Sequence, residues 1–276
     1  MKRAVFILTL SLLYLQIIAQ KGELGVAGGI SYYIGDLNPY GHFKELNPMG
    51  GVTYRYNFNS RYNFRANILY GFVSGDDANS SDPVQKSRNL NFTSDIVELA
   101  GIMELNFYDF HRTNSDYPYS SYMFVGFNFF KMNPKTSFDD EYVELQPLGT
   151  EGQGTSLDQK FKKYKRIQIG IPFGLGIKFK INKKVVISVE YGLRKIFTDY
   201  LDDVSGLYAD PTILITENGS LAELLAMRGD PDLIGNNESH TGLQRGNSST
   251  KDWYSFTGIS ISYRMGKVAC QKVGDR

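Results

Sequence analysis

From Arg166 to Phe179 every second residue is a large apolar one: Ile167, Ile169, Ile171, Phe173, Leu175, Ile177 and Phe179. The alternate positions, Arg166, Gln168, Gly170, Pro172, Gly174, Gly176 and Lys178, are polar or small. A period of two makes this stretch a β-strand, because successive side chains of a strand point to opposite faces. A helix would scatter both sets around its whole circumference. The run exceeds the usual strand of about 5 to 6 residues and suits the tilted strand, about 9 to 11 residues long, that crosses a bilayer. Its apolar face then meets lipid, and its glycine-rich face lines the narrow interior of a small closed barrel. A slip of one residue would turn Arg166, Gln168 and Lys178 into hydrocarbon, at roughly 2 to 4 kcal/mol for each basic side chain near the midplane.

The same alternation predicts seven more strands: Glu23–Gly35, Met49–Phe58, Tyr62–Val73, Phe92–Phe107, Ser121–Met132, Val185–Lys195 and Trp253–Met265. In Ser121–Met132 the second face is partly apolar too. Pro172 removes a ladder donor, yet the alternation runs across it with no sign of a bulge. The connections run long, short, long, medium, long, short, long. That asymmetry belongs to outer-membrane barrels, and an even strand number leaves both ends in the periplasm. The fold class read from the chain is all-β: an eight-stranded antiparallel transmembrane β-barrel with long extracellular loops and short periplasmic turns. One short helix is expected in the longest loop, Leu221–Arg228, with Ser220 and Glu223 as a capping box and Gly229 as its stop.

Met1-Lys2-Arg3 followed by the apolar run Ala4–Ala19 reads as a secretory signal peptide cut near Ala19. This divides the chain into a leader (1–19), a barrel (20–265) and a periplasmic tail (266–276). Cys270 is the single cysteine, so an internal disulfide is excluded. The net charge of +1 suggests no nucleic-acid partner. A mean hydropathy of −0.29, with no second long apolar run after the leader, excludes a helical membrane protein; it leaves a barrel open, whose alternation hides the lipid face from an average. Aromatic residues make up 14% of the chain, nearly all Tyr and Phe, as the girdles at the two membrane surfaces require. The location implied is the outer membrane of a Gram-negative bacterium.

On this parity the lumen collects Arg55, Arg65, Arg166, Lys178 and Arg194 against Glu98, Glu104 and Glu190. Mixed signs predict an ion-paired plug, and an eight-stranded barrel is filled by side chains rather than open as a wide channel. An enzyme would need a base beside a nucleophile, or a carboxylate pair. The histidines are His42, His111 and His240, and that reading requires His42 or His240 close to Asp36, Asp199 or Asp203. No spacing singles out such a site, so no catalytic, cofactor or metal residues are expected, nor a small-molecule substrate. Asp199, Asp202 and Asp203 could offer oxygens to calcium, but they lack the regular spacing of a calcium loop and read rather as a structural cap or docking loop. Lys160, Lys162, Lys163, Lys165 and Arg166, interleaved with Phe161 and Tyr164, sit at the outer mouth. They read either as contacts for lipopolysaccharide phosphates or as a solvated rim.

Five segments carry a resemblance: Gly35-Asp36-Leu37-Asn38-Pro39; Tyr54 to Asn59; Leu145-Gln146-Pro147-Leu148-Gly149-Thr150-Glu151-Gly152-Gln153-Gly154; Ile171 to Lys178; and Gly192 to Ser205, which includes Thr198-Asp199-Tyr200-Leu201-Asp202-Asp203-Val204-Ser205. Together they resemble the PorG-type outer-membrane proteins of the type IX secretion system, from the leader to the last strand. The resemblance implies a non-enzymatic barrel of a secretion machine. It would associate with a periplasmic ring built from a lipoprotein and its partner, and contact outer-membrane lipid and lipopolysaccharide. An alternative is a surface-adhesion or lipopolysaccharide-stabilising barrel without secretion partners, and a more distant one is an outer-membrane hydrolase.

Overall fold

The computed structural model describes residues 22–39, 41–110, 118–157, 162–229 and 240–265. The expected leader, the tail with Cys270, His111 and Lys160 lie outside the described residues. Alternating side chains build β1 (Gly22–Ile34), β2 (Asn47–Asn57), β3 (Tyr62–Asp76), β4 (Asn91–Asn106), β5 (Tyr119–Phe138), β6 (Glu141–Glu144), β7 (Ile167–Lys180), β8 (Val185–Ile196) and β9 (Trp253–Arg264). All pairings are antiparallel. β1 lies between β2 and β9, and the ring is shut by β4 against β5, from Thr93 opposite Lys135 to Asn106 opposite Tyr122. Eight strands therefore form a closed barrel, the architecture of outer-membrane barrels.

The ninth strand, β6, is not expected from the sequence. It folds back on β5, where Lys135 faces Thr93 of β4 on one side and Glu144 of β6 on the other. β5 accordingly runs on to Phe138 instead of stopping at Met132. Beyond the apolar belt, Asn133 to Ser137 keep the strand without needing an apolar face, so the alternation that marks a lipid-facing strand fades there. This hairpin corrects one lumen assignment. Arg166 stands just before β7, partly exposed, with its Nη2 2.6 Å from Oε2 of Glu144. The acid that holds it outside the bore comes from a strand that hydrophobic periodicity could not reveal.

Parity sorts the remaining wall. Leu24, Val26, Val52, Ile68, Leu99, Val125, Ile169, Leu175, Ile259 and Ile261 all face outward and are exposed. Inward, β5 sends Tyr122 and Phe124 into a small cluster with Ala100 and Ile102. These rings explain the glycines opposite them. A Cβ at Gly176 would come within 2.5 Å of the Tyr122 ring, and one at Gly174 within 2.7 Å of Phe124. Pro172 is accommodated without a bulge. Its ladder to β8 is continuous, whereas the ladder to β5 skips from Val125–Phe173 to Asn128–Gly170 in unchanged register. The missing N–H thus costs bonds on one side only.

The upper bore is apolar and is finished by the outer loops. Tyr33, Leu69, Phe92, Ile96, Phe130, Ile196 and Phe256 from the wall pack against Leu37, Leu145, Leu201, Val204 and Leu225 from the loops. The expected helix of the last loop is Ser220–Ala226, preceded by the helical turns Pro211–Ile213 and Leu214–Asn218, with Gly219 at its cap position and no side-chain cap, so Ser220 begins the helix rather than capping it. Helix Pro83–Arg88 was not expected, although its signals are ordinary: Asp82 caps it through Val84 N, and proline occupies the first turn.

Candidate functional site

The lower bore is an ion-paired network. Glu104 is its centre, within 2.8 Å of Arg55, 2.9 Å of Arg65 and 2.6 Å of Lys178. Arg65 also reaches Glu190 at 2.6 Å, and Tyr122 donates its hydroxyl to the same Glu190 oxygen at 2.9 Å. A second group lies higher. Glu98 accepts from Arg194 at 3.2 Å, from Tyr254 at 2.6 Å and from Asn128 at 2.9 Å. The structure thus brings together seven of the eight predicted lumen residues, all but Arg166. It adds two that the sequence reading missed: Glu23 pairs with Arg55 at 3.0 Å and with Arg264 at 2.8 Å. Both lie on the inward parity of the first and last strands, beside Gly25 and Ser262, so strict application of the period would have found them. Charges this deeply buried persist only as partners.

The outer cap is where the resemblance segments meet. Asp203, in the left-handed region at φ 66°, accepts from Thr150 Oγ1 at 2.5 Å and from Tyr164 at 2.6 Å. Glu151 accepts from the backbone N–H groups of Ser205 and Gly206, at 2.9 and 3.1 Å, and pairs with Arg245 at 3.0 Å. Gln146 donates to the Tyr164 carbonyl at 2.9 Å, Lys163 bonds the Pro147 carbonyl, and Tyr164 stacks on Tyr200 with centroids 4.7 Å apart. Gly149 has φ 58°, and a Cβ there would meet the Gln153 carbonyl at 2.3 Å, so the turn requires glycine. Asn38 donates to the Tyr33 carbonyl at 2.7 Å, and the Asp36 carboxylate accepts from Asn247 N at 3.0 Å. Pro39 follows Asn38 in the same loop, and Thr198 Oγ1 accepts from Tyr200 N at 3.2 Å.

The acidic run therefore diverges to separate partners instead of converging on an ion. Asp199 accepts from Ser205 at 2.7 Å, Asp202 from Val204 N at 2.9 Å, and Tyr33 bridges Asp202 to Asp252. Burial pushes Asp203 up to about 6 against the opposing pull of Arg245, and Asp199 is pushed up to about 6 by the same cause. Burial raises Asp202 and Asp252 as well, with Asp36 adding to the first and Asp202 to the second. Among the described residues no group of three or more His, Cys, Asp or Glu side chains is arranged to hold a metal.

Among the described residues, neither His42 nor His240 is paired with Asp36, Asp199 or Asp203. His42 Nδ1 lies 2.9 Å from the Tyr32 hydroxyl and 3.2 Å from that of Tyr191, and these hydroxyls are 2.8 Å apart. Tyr32 and Tyr191 belong to the outward parity, so the first outer loop lays His42 and Phe43 on the outside wall, where His42 Nδ1 meets both hydroxyls and Phe43 packs against both rings. His240 packs on the Tyr208 ring. At the opposite mouth Phe110 is fully buried beneath Lys180 and Arg264, at 5.0 and 5.5 Å from its ring. Side chains thus fill the bore and loop residues close both ends.

Several solved barrels share the general architecture. Ail, the attachment invasion locus protein of Yersinia pestis, in complex with the heparin analogue sucrose octasulfate, is 12% identical, with 88% of this chain and 98% of that chain covered at a TM-score of 0.39. Neisserial surface protein A is 6% identical, with 88% and 97% covered at 0.44. OprG from Pseudomonas aeruginosa is 11% identical, with 89% and 97% covered at 0.37. None of them bears on what this chain does. No curated protein matches it. A family model described as a domain of unknown function, DUF6089, matches residues 2–210, and the chain belongs to that family.

Proposed function

We propose that this chain is a non-enzymatic outer-membrane component of a protein-secretion machine of the type IX kind, associating with a periplasmic ring built from a lipoprotein and its partner. The observation that carries the reading is the interlock of two distant segments of the resemblance, Gln146–Gly154 and Thr198–Ser205, through Thr150, Glu151 and Asp203. The two segments share one task here: together they seal the outer mouth. With the bore filled by ion pairs, what the barrel offers a partner is its ends. The periplasmic end carries the connections 58–61, 107–118 and 181–184, and the ring is assigned to that end. The test replaces residues 111–117 with a glycine-serine linker of equal length, keeping Phe110 in the lower mouth. The variant is expected to assemble in the outer membrane while cargo secretion falls. Normal secretion from this variant, and from equivalent replacements of the other two connections and the tail, would contradict the proposal.

A further inference from the structure

Outward-facing charges are scarce on the barrel wall, and they are not evenly distributed. Asp76 caps the turn that follows β3, and Asp95 closes on Lys135 at 2.5 Å. Lys131 of β5 and Lys195 of β8 remain, exposed and without a carboxylate partner among the described residues. They flank β7: Lys131 lies opposite Ile167 and Lys195 opposite Ile171. Four residues of strand separate them by roughly 13 Å along the wall, and two inter-strand spacings of about 4.8 Å separate them across it. That span exceeds a single phosphate and suits a headgroup carrying two.

The surface around the two lysines is apolar and little covered. Phe127 is 73% exposed, Ile167 66% and Phe129 60%. Phe127 stands where Pro172 interrupts the ladder and opposite Gly101 of β4. Lys195 sits 5.0 Å over the Trp253 ring, which makes an edge contact with Phe173 at 6.0 Å. A tryptophan under a lysine marks the level of the headgroups. Among the described residues the other half of the upper rim has no comparable lysine pair; Ile34, Pro48 and Ser74 occupy the corresponding outward positions.

We propose that the β5–β7–β8 sector binds a bis-phosphorylated, acylated disaccharide of the outer leaflet, with Lys131 and Lys195 each holding a phosphate and the acyl chains lying along Phe127, Phe129 and Ile167. The inference rests on the outer-membrane placement above and names the lipid chemistry for it. It moves the phosphate contact from the Lys160–Arg166 run, whose Arg166 is paired with Glu144, to the wall itself.

Trp253 is the single tryptophan of the chain, so its emission reports on this site. The full chain, purified in detergent, is titrated with bis-phosphorylated lipid A, with the same lipid stripped of phosphate, and with inorganic phosphate. A saturable shift is expected with the first alone. Lys131→Gln with Lys195→Gln is expected to weaken binding roughly 30-fold, the loss that two interfacial lysines contribute. Because both side chains are exposed, folding is checked by gel mobility before and after heating, and each single variant is measured beside the double. Unchanged affinity in the double variant, equal binding of the dephosphorylated lipid, or saturation by inorganic phosphate would each overturn the assignment. Protein found in the outer membrane that fails the titration loses the lipid site and keeps the placement.

Discussion

Glu104→Gln is the sharpest perturbation of the bore. Glu104 is completely buried and is shared by Arg55, Arg65 and Lys178 at 2.6 to 2.9 Å. Two of these cations retain another carboxylate, Glu23 at 3.0 Å for Arg55 and Glu190 at 2.6 Å for Arg65. Lys178 retains neutral groups but no carboxylate: the side-chain oxygen of Asn106 at 2.9 Å, the Asn63 amide oxygen at 3.1 Å and the Tyr122 ring at 4.3 Å. The substitution keeps the shape and removes the charge, leaving a fully buried ammonium without its counter-ion. Removal of one partner from a buried pair costs about 3 to 5 kcal/mol. Glu144→Gln, which breaks the partly exposed pair with Arg166, is expected to cost about 0 to 1 kcal/mol. The double replacement Glu104→Gln with Lys178→Met removes the orphaned charge and should recover part of the loss. Reversible urea unfolding in lipid vesicles, followed by Trp253 emission, measures all three. If Glu104→Gln lies within about 1 kcal/mol of the parent, a threshold set by the range for exposed pairs, the bore is wet and the account of it is wrong.

Three further outcomes follow from the same geometry. Gly176→Ala places a methyl group 2.5 Å from the buried Tyr122 ring and should destabilise the barrel by about 1 to 3 kcal/mol, while Gly28→Ala, with open space around its Cβ, should stay within about 0.5 kcal/mol; paired unfolding curves distinguish them. Asp199 and Asp203, both near 6 in the folded cap and about 3.9 unfolded, contribute stability that is fully present below about pH 4 and lost as pH rises through about 6. Hydrogen exchange at the Leu201 and Val204 amides, corrected for intrinsic rate, should therefore be slower at acidic than at alkaline pH, and the opposite trend would rule out burial as the cause. Phe110→Ala removes the ring that closes the lower mouth and should cost about 3 to 5 kcal/mol, with new water access to Arg264 seen by chemical labelling.

What the sequence disclosed is what strand parity controls. Ile167 to Phe179 defined both faces of β7, and extending the same period placed Arg55, Arg65, Glu98, Glu104, Lys178, Glu190 and Arg194 on one side of the wall before any pairing was known. Parity says nothing where a strand leaves the apolar belt. The β5–β6 hairpin was invisible for that reason, and with it the Glu144 that draws Arg166 out of the bore. The cap was legible as motifs but not as an arrangement. Thr150 and Asp203 are 53 positions apart, and only the folded chain brings them to hydrogen-bonding distance. The strap of His42 and Phe43 over Tyr32 was equally hidden, because a loop lying on the outside of a barrel leaves no periodic trace.

The most direct test of the account is recovery of a tagged copy from native outer membranes in mild detergent after brief crosslinking, with partners identified by mass spectrometry. The account predicts the periplasmic ring lipoprotein among them, and its loss when the periplasmic connections are replaced. Recovery of the barrel alone from cells whose ring is intact would contradict the secretion assignment while leaving the filled, capped barrel in place.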